Sequence, residues 1–352
     1  MIYFARLTLL ILLVVTVVSC IPEETPVKPH EPGDNEVGST DIYSIYEYQV
    51  YYSLSENKVI KTNEYDIWDF NFDCGEDFHI LLNSAKIMKI IDLGEINFDS
   101  IGEEDIPEAD SSIWMVDMPS GSLDSTAIGE WWTEEGGEIK SKNHVYLVDR
   151  GSIMSRKKRY AKIQILKFDQ STYTIKYQII KTGDPARTID VPKDPALQYI
   201  SLSIDGEGEV MKLQPPRGSW DLVFTNYSEL LWNSEFFQLY GVKACLINSQ
   251  FVMAAKADST AMDEVLGKRV SFEEFSLADA REFDLKDDMN VIGHDWKSAD
   301  ISQSEVVYTV DPTVIFVIQD VNGVLYKMHF LRYDSDKGLG KRGYPGFEFK
   351  RF

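Results

Sequence analysis

Cys20 is the one cysteine that stands where a thiol could be modified chemically. Residues 7–18 form a stretch of twelve almost wholly apolar residues, preceded by Arg6 and followed by Ser19. This length matches the core of an export signal, about 7 to 15 residues, and is shorter than the ~20 residues of a membrane-spanning helix. The pattern predicts a signal peptide over residues 1–19 and lipidation of Cys20, with an ordinary secretory signal as the alternative.

Few other side chains are spaced for metal binding or catalysis. The cysteines and histidines do not form the two closely spaced pairs of a zinc site. Residues 338–343 match the glycine spacing of a dinucleotide-binding loop, but the residues after them alternate like a strand, whereas that motif opens a helix. Acidic neighbours such as Glu103 and Glu104 are too common among 57 acidic residues to indicate a catalytic pair. We therefore expect a binding protein and not an enzyme.

The formal net charge of −22 limits the partners of the protein. Nucleic acids and anionic membrane surfaces are bound by clustered Lys and Arg side chains that neutralise phosphate groups. The one short basic run, residues 156–159, is expected to be a solvated hairpin turn. We therefore expect no nucleic-acid partner, and contact with a membrane only through the lipid anchor.

The segment that follows the signal peptide is expected to be a tether. Residues 20–40 are rich in proline and acidic residues and contain few apolar ones. Such a segment favours extended, polyproline-like conformations and could reach about 60 Å at roughly 3.1 Å per residue. It would hold the folded part of the chain away from a membrane.

The rest of the sequence repeats itself once. Four segments recur in the same order in the two halves, at separations of 152, 165, 164 and 166 residues. The pairs are residues 68–72 with 220–224, 81–84 with 246–249, 128–132 with 292–296, and 160–163 with 326–329. The separation changes once and then stays nearly constant, which indicates two related units with one insertion, near residues 227–241.

The residue pattern of both units is that of antiparallel β-structure. Apolar and polar residues alternate in the Trp-Asp segments and again at residues 160–168 and 326–333. Further short strands are predicted at residues 46–54, 58–61, 145–148, 173–180, 199–204, 314–319 and 347–352. Helix signals are confined to residues 260–266 and to a capping-box pattern at residues 271–278.

These patterns predict an all-β fold made of two tandem antiparallel β-sandwich-like domains with few short helices. Three prolines between residues 185 and 195 place the boundary between them, so the domains are expected over residues 41–185 and 186–352. Cys74 and Cys245 occupy non-equivalent places in the two units, and two reduced thiols are therefore expected rather than a disulfide.

The order of these motifs resembles that of the HmuY-like haem-binding lipoproteins. Residues 291–297 and 326–331 are the most telling segments, and the likeness extends once over each half of the exported chain. The resemblance implies an all-β fold and a haem group bound in a cleft between loops at one end. It also implies haem capture, from solution or from a host haemoprotein, and delivery of haem to a TonB-dependent outer-membrane transporter.

The resemblance further implies two axial side chains for the haem iron. Family members carry one axial His just after the Gly-x-x-Trp tryptophan, where this chain has residues 133–136 and 297–301 and no His. The other ligand comes from the preceding loop, where the first unit offers Met115 and Met118 and the second offers Met253, Met262 and Met289. Since thioether sulfur binds haem iron, Met115 and Met118 are the candidate ligands.

A structural role is the competing interpretation of these side chains. Met115 lies in an apolar run, where methionine is more often packed in a core. Four histidines lie in or beside predicted strands, where a hydrogen-bonded structural imidazole is usual: His79, His144, His294 and His329.

Two hypotheses of function follow from the sequence. The first is haem capture by a lipoprotein of the outer membrane, anchored by its lipid and exposed at the cell surface. The second is a surface module with the same fold and no cofactor, which binds protein or glycan through exposed aromatic side chains. The candidates for that role are Trp131, Trp132, Trp232 and Phe236.

Overall fold

The computed structural model describes residues 33–41, 47–108, 112–232, 235–258, 263–300, 307–334 and 342–352. Cys20 and the predicted signal peptide lie outside these stretches. Within them the chain is almost entirely β-structure in antiparallel sheets, which confirms the predicted fold class. No helix of these stretches is long and apolar enough to cross a membrane.

The described residues form twenty-two strands. They are β1 (Glu36–Ser39), β2 (Tyr48–Ser53), β3 (Lys58–Glu64), β4 (Phe70–Asp73), β5 (Ile80–Leu82), β6 (Lys89–Asp92), β7 (Trp132–Glu135), β8 (Glu138–Ser141), β9 (Val145–Asp149), β10 (Tyr160–Phe168), β11 (Thr172–Ile179), β12 (Arg187–Pro192), β13 (Tyr199–Ser203), β14 (Glu209–Met211), β15 (Leu222–Trp232), β16 (Phe237–Ile247), β17 (Met253–Asp258), β18 (Lys297–Asp300), β19 (Val307–Val310), β20 (Val314–Gln319), β21 (Leu325–Asp334) and β22 (Arg342–Arg351).

Helical structure in the described residues is limited to short pieces. Four three-residue 3-10 helices span Ser84–Lys86, Phe98–Ser100, Glu103–Asp105 and Leu123–Ser125, and one α-helix, α1, spans Leu277–Ala280. The helix predicted at residues 271–278 therefore begins at the wrong residue, because α1 begins at Leu277. The capping box that begins α1 is formed by Ser276 and Asp279, because the Ser276 hydroxyl accepts from the Asp279 amide while the Asp279 carboxylate accepts from the Ser276 amide.

The strands build two bodies, each with two sheets packed face to face. The first body has a four-stranded sheet, β14-β13-β4-β5, and a five-stranded sheet, β12-β11-β10-β9-β6. Apolar side chains from both sheets form its core, among them Phe70, Leu202, Ile163 and Tyr173. All the core residues of this body lie between residues 70 and 204.

The second body repeats this plan with different strands. Its sheets are β16-β15-β2-β3 and β1-β22-β21-β20-β17. Tyr52, Leu222, Phe316 and Phe330 are among the buried side chains between them. The outer face of the five-stranded sheet is covered by the segment around α1, whose Phe272 and Phe275 pack on β17 and β20.

Both described cysteines are free and buried, as expected. Cys74 belongs to the core of the first body and Cys245 to the core of the second. Burial raises the pKa of both thiols, so they are packing residues of low reactivity.

Strand pairing crosses the middle of the chain. The hairpin β2–β3 precedes β4 in sequence but pairs with β15, where Tyr52 is opposite Leu222. The hairpin β13–β14 precedes β15 but pairs with β4, where Leu202 is opposite Phe70. The first body is therefore the continuous segment 65–214, inserted between β3 and β15 of the second body. The predicted boundary between residues 185 and 186 lies inside the first body and stays a prediction about the sequence repeat.

The Asp of each Trp-Asp motif fixes one of these hairpins. The Asp69 amide donates to the Leu202 carbonyl at 2.8 Å, and its carboxylate accepts from the Ile204 amide at 2.9 Å. Asp221 binds the other hairpin in the same way. Its amide donates to the Tyr52 carbonyl at 2.8 Å, and its carboxylate accepts from the Leu54 amide at 2.7 Å. Both Asp side chains are fully buried. The two hairpins are thus equivalent parts of the repeat.

The two carboxylates differ in their charged neighbours. Asp69 is paired with Lys86 at 2.6 Å and with Arg150 at 2.9 Å, all buried. Burial by itself would raise the pKa of Asp69, but the two cations outweigh it and the pKa lies below its ordinary value. Asp221 accepts from the amides of Leu54 and Val321, and burial raises its pKa to about 6.

The insertion predicts which fragment folds alone. We expect residues 65–214 to unfold cooperatively in urea, because they contain both sheets and the whole core of the first body. Residues 41–185 should not, because they lack β13 and β14, which leaves β4 without its partner and Asp69 without Ile204.

A matched control is the second body joined directly from residue 64 to residue 215. Its ends are close, since the Asn63 side chain donates to the Leu213 carbonyl at 2.7 Å. This chain should also fold, as judged by near-ultraviolet circular dichroism. Cooperative unfolding of residues 41–185 together with an unfolded 65–214 fragment would contradict the assignment.

Substitution of the two Asp residues should have unequal effects on the free energy of unfolding. Asp69→Asn removes the carboxylate closest to buried Lys86 and Arg150 and leaves Arg150 only Asp205, at 3.9 Å, so we expect a loss of about 3–5 kcal/mol at pH 7. Asp221→Asn removes one of the two carboxylate oxygens that accept from backbone amides and breaks no ion pair, and we expect a loss of about 1–2 kcal/mol. Urea titration of the full chain measures both.

The contributions of Asp221 and Asp69 to the free energy of unfolding should change with pH in opposite directions. The folded pKa of Asp221 is above its unfolded value of 3.8, so its contribution is complete below pH 4 and is lost as pH rises to about 6, by roughly 3 kcal/mol. The stability of Asp221→Asn relative to the parent should therefore improve over this window. The folded pKa of Asp69 is lowered, so its contribution is present above pH 4 and disappears as pH falls. Parallel pH profiles of the two variants would refute this account.

Candidate functional site

A pocket of about 730 Å³ opens at one end of the first body. Three turns enclose it: the one between β4 and β5, the one between β7 and β8, and the one between β10 and β11. Lys193, just after β12, completes the lining. Since the turns come from distant parts of the sequence, the two-sheet fold is what brings them together.

Aromatic side chains form the apolar part of this pocket. The Phe78 ring lies 5.3 Å from that of Phe168 and 5.9 Å from that of Trp132, and Phe168 lies 4.7 Å from Tyr173. Phe78 and Phe168 line the pocket directly, together with Ile139. Flat aromatic surfaces of this kind suit a flat, apolar ligand.

Phe78 is held in a strained backbone conformation. Its φ is +59°, in the left-handed region that bulky residues rarely adopt. Three contacts hold it there: the Asp73 carboxylate accepts from the Asp77 and Phe78 amides, each at 3.2 Å, and the Trp131 indole donates to the Phe78 carbonyl at 2.8 Å. Such strain, about 1–3 kcal/mol, tends to persist at ligand sites.

Lys193 is the cation of the pocket. Its ammonium lies 4.8 Å from the centre of the Phe78 ring and 4.9 Å from that of Phe168, and it donates to the Gly75 carbonyl. Burial lowers its pKa. The rim of the pocket is acidic, because Glu76 and two further carboxylates, Glu138 and Asp169, line it.

His79 lies beside the pocket with an unused ring nitrogen. Its ring packs edge-on against Trp132, with the ring centres 5.3 Å apart. Its Nδ1 atom is buried and has no hydrogen-bond partner among the residues that the structure describes. A buried nitrogen without a partner is costly to a fold that gains nothing from it. The predicted structural role of His79 is therefore not supported by a hydrogen bond at this atom.

The two methionines predicted as ligands lie elsewhere on the first body. Met115 is paired by two backbone hydrogen bonds, of 2.8 and 2.9 Å, with Ile90 of β6. Its side chain is 44% exposed and that of Met118 is 42% exposed. Core packing, the competing interpretation of Met115, is therefore wrong. Neither side chain lines the aromatic pocket, and their assignment as axial ligands stays a prediction.

The other histidines have partners or are shielded. His144 is 2.8 Å from the Asp92 carboxylate. His329 bonds to Glu348 and to the Pro312 carbonyl, as expected of a structural imidazole. Burial lowers the pKa of His294, which keeps that ring neutral at pH 7.

The four aromatic side chains predicted as exposed contacts lie in three different environments. Trp131 is 1% exposed and belongs to the core of the first body, so its expected role as an exposed contact is wrong. Trp132 is partly buried beside the pocket. Trp232 and Phe236 are exposed, on a hairpin of the second body.

Among the described residues, the second body differs from the first at the place of the pocket-lining Phe78. By the offset of the repeat, Lys243 stands in the place of Phe78. The ammonium of Lys297 donates to the Lys243 carbonyl at 2.7 Å and lies 4.2 Å from the ring centre of Trp296. Burial lowers the pKa of Lys297 to about 7. The Phe78 carbonyl accepts from an indole N–H in the first body, whereas the equivalent Lys243 carbonyl accepts from a lysine ammonium in the second. Lys297 also lines a smaller pocket of about 320 Å³.

The pocket residues Phe78, Phe168 and Lys193 were not found by sequence reasoning. They come from three separate turns, and no spacing connects them. A signal was present in the turn at residues 75–79, where Phe and His follow directly on acidic residues after the Trp-Asp strand. Among the described residues no group of three His, Cys, Asp or Glu side chains could hold a metal ion.

The two-sheet bodies and the aromatic pocket define a ligand-binding β-protein. The family model described as HmuY protein matches residues 45–180 and 193–349, once in each repeat. The chain belongs to the HmuY family.

Solved structures of similar proteins were also found. The apo HmuY analog TFO of Tannerella forsythia is 10% identical, with 92% of this chain and 98% of that chain covered and a TM-score of 0.24. Apo PinO, described as from Porphyromonas gingivitis, is 9% identical, with 91% and 97% covered and a TM-score of 0.24. A search of curated proteins found no match.

Proposed function

We propose that this protein is a haem-binding lipoprotein that holds haem in the aromatic pocket of the first body. The observation that carries the proposal is the pocket itself, in which Phe78 and Phe168 present apolar rings. His79, which follows Phe78 and packs against Trp132, has a buried Nδ1 atom without a hydrogen-bond partner among the described residues. Membership of the HmuY family supports it, because the resemblance of the sequence to that family implies haem as the ligand.

The residues of the pocket fit the chemistry of haem. The pocket volume of about 730 Å³ is within the usual range of small-molecule sites, about 300–1,000 Å³. Phe78, Phe168 and Ile139 would contact the porphyrin, and Lys193 would balance a propionate charge. The buried Nδ1 of His79 is the orphaned atom that an iron ligand would explain.

Three side chains are therefore proposed as axial ligands. Met115 and Met118 remain proposals from the sequence, and both sulfurs could bind iron without loss of core packing because their side chains are exposed. His79 is added on structural grounds, since it lies next to Trp132 and follows Phe78. Bound haem would supply an iron centre, which His79 would hold beside the aromatic pocket. Since neither methionine lines that pocket, ligation by Met115 or Met118 is an alternative to ligation there.

Delivery to a TonB-dependent outer-membrane transporter is proposed as the next step. A carrier of this kind needs an anchor and a reach, which lipidated Cys20 and the tether over residues 20–40 would give. The last part of this segment, Glu36–Ser39, forms β1, which pairs with β22 of the second body, so the residues before β1 are the ones proposed to act as the tether. The pocket belongs to the other body, so anchor and ligand site are carried by different parts of the fold.

A cofactor-free binding module is the second candidate function. The acidic rim favours it, because Glu76, Glu138 and Asp169 outnumber Lys193 and would repel the propionates of haem. In that case the same pocket would take a neutral or cationic group of a protein or glycan. The haem titration below decides between the two.

Haemin titration of the chain from residue 20, with Cys20→Ser to prevent lipidation, tests the proposal. We expect a saturable Soret shift at one haem per chain, because the aromatic pocket in the described part of the chain belongs to the first body. Phe78→Ala with Phe168→Ala should weaken binding at least about tenfold through lost apolar contact. His79→Ala, Met115→Ala and Met118→Ala should each be read by the position of the Soret band, which changes when an axial ligand is lost.

Controls come from the second body. Met253→Ala removes a similarly exposed methionine, 38% exposed against 44% for Met115, and His294→Ala removes a shielded imidazole. Both should leave the Soret band unchanged. Binding of two haem groups per chain, or a band that survives Phe78→Ala with Phe168→Ala, would refute this site. Absence of any saturable shift in the parent chain would refute haem binding altogether.

A further inference from the structure

The second repeat carries an extension that the first repeat lacks. β15 and β16 are each eleven residues long, whereas the equivalent strands β4 and β5 have four and three. β15 pairs with β2 only through residues 222–224. Residues 225–232 and 237–242 therefore continue beyond the pairing with β2 as a two-stranded ribbon, at the place of the insertion predicted from the repeat. β4 and β5 form no such ribbon in the first body, and Gly241 at the base of the ribbon lies against Ile87 of that body.

One face of the ribbon is apolar and exposed at its tip. Trp232 is opposite Phe237, and Leu230 is opposite Leu239, so these four side chains share a face. Trp232 is 59% exposed and Phe237 is 65% exposed. Their rings contact each other edge to face, with centres 5.2 Å apart. Exposed rings that cluster in this way are a candidate docking surface.

The ribbon carries no positive charge. Residues 218–242 contain no Lys or Arg, and their acidic residues are Asp221, Glu229 and Glu235. The Glu229 carboxylate is occupied by the Asn290 amide at 3.0 Å and by the Tyr227 hydroxyl. An acidic chain with such a tip is not attracted to anionic surfaces. Its aromatic face suits an uncharged one.

We propose that the ribbon docks on the lipid–water interface of a bilayer rich in zwitterionic lipids, with Trp232 and Phe237 between the headgroups. Trp and other aromatic side chains favour this interface because they combine an apolar ring with a polar edge or a flat shape. The net charge excludes only anionic membranes, so this contact is additional to the expected lipid anchor. The proposal does not rest on haem binding.

A weak contact between the ribbon and lipid would be sufficient to orient the protein, because the proposed anchor already holds it close to the bilayer. The predicted tether enters the second body through β1, and the ribbon extends from a sheet of the same body. A chain held by lipid at Cys20 and a tether of about 60 Å stays within reach of the bilayer. The effective concentration is then high, and a modest affinity of the ribbon orients the protein.

Vesicle binding of the chain from residue 20 with Cys20→Ser tests this inference without the anchor. We expect co-sedimentation with phosphatidylcholine vesicles and a blue shift of tryptophan emission, since Trp232 is the most exposed of the seven tryptophans. Brominated lipid should quench this emission. Trp232→Ser with Phe237→Ser should lower the partition coefficient about tenfold or more. Phosphatidylglycerol in the vesicles should weaken binding, because the chain is acidic.

The matched control removes two exposed apolar side chains from the first body. Ile113→Ser with Ile153→Ser, 55% and 49% exposed, should leave the partition coefficient unchanged. Equal urea midpoints would show that both double variants are folded. The inference is overturned if the parent chain does not bind phosphatidylcholine at millimolar lipid, or if the control loses as much. It is also overturned if Trp232→Ser with Phe237→Ser abolishes self-association of the chain in the absence of lipid but leaves the partition coefficient unchanged.

Discussion

The fold depends on a buried carboxylate that binds the backbone of a hairpin from the other half of the sequence. Asp69 and Asp221 each follow a Trp, and each accepts from the amide directly after the first strand of such a hairpin, that of Ile204 or Leu54. A backbone amide removed from water needs an acceptor, and a carboxylate is a strong one. Each hairpin pairs with the Trp-Asp strand of the other sequence repeat. The two bodies therefore do not correspond to two consecutive halves of the chain.

Much of the secondary structure could be predicted from the sequence, since alternation of apolar and polar residues depends only on neighbours along the chain. The repeat, its insertion and most strands were found this way. The choice of partner for each hairpin could not. β2–β3 and β13–β14 are equivalent parts of the repeat, so either could satisfy either Trp-Asp strand by local pattern. Only the packing of the whole chain distinguishes the two arrangements.

The candidate site was predicted less well, for a related reason. Its residues lie in three turns, and a turn residue such as Phe78 is defined by its conformation and not by a periodic pattern. The methionines were selected because the family resemblance assigns a ligand to their loop. The structure places them on the surface of the same body, outside the pocket. Proximity in sequence to a motif therefore did not predict proximity to the aromatic rings.

Duplication explains why the two bodies can differ so much at equivalent positions. The cores must stay apolar in both, so the Trp-Asp strands and the buried tryptophans Trp131 and Trp296 are kept. The loop ends carry no such constraint. In the first body they form an aromatic pocket, while in the second Lys297 takes the carbonyl that an indole binds in the first. The second body extends β15 and β16 into the ribbon, so the two proposed contacts, with the ligand and with the bilayer, belong to different bodies and need not compete for one surface.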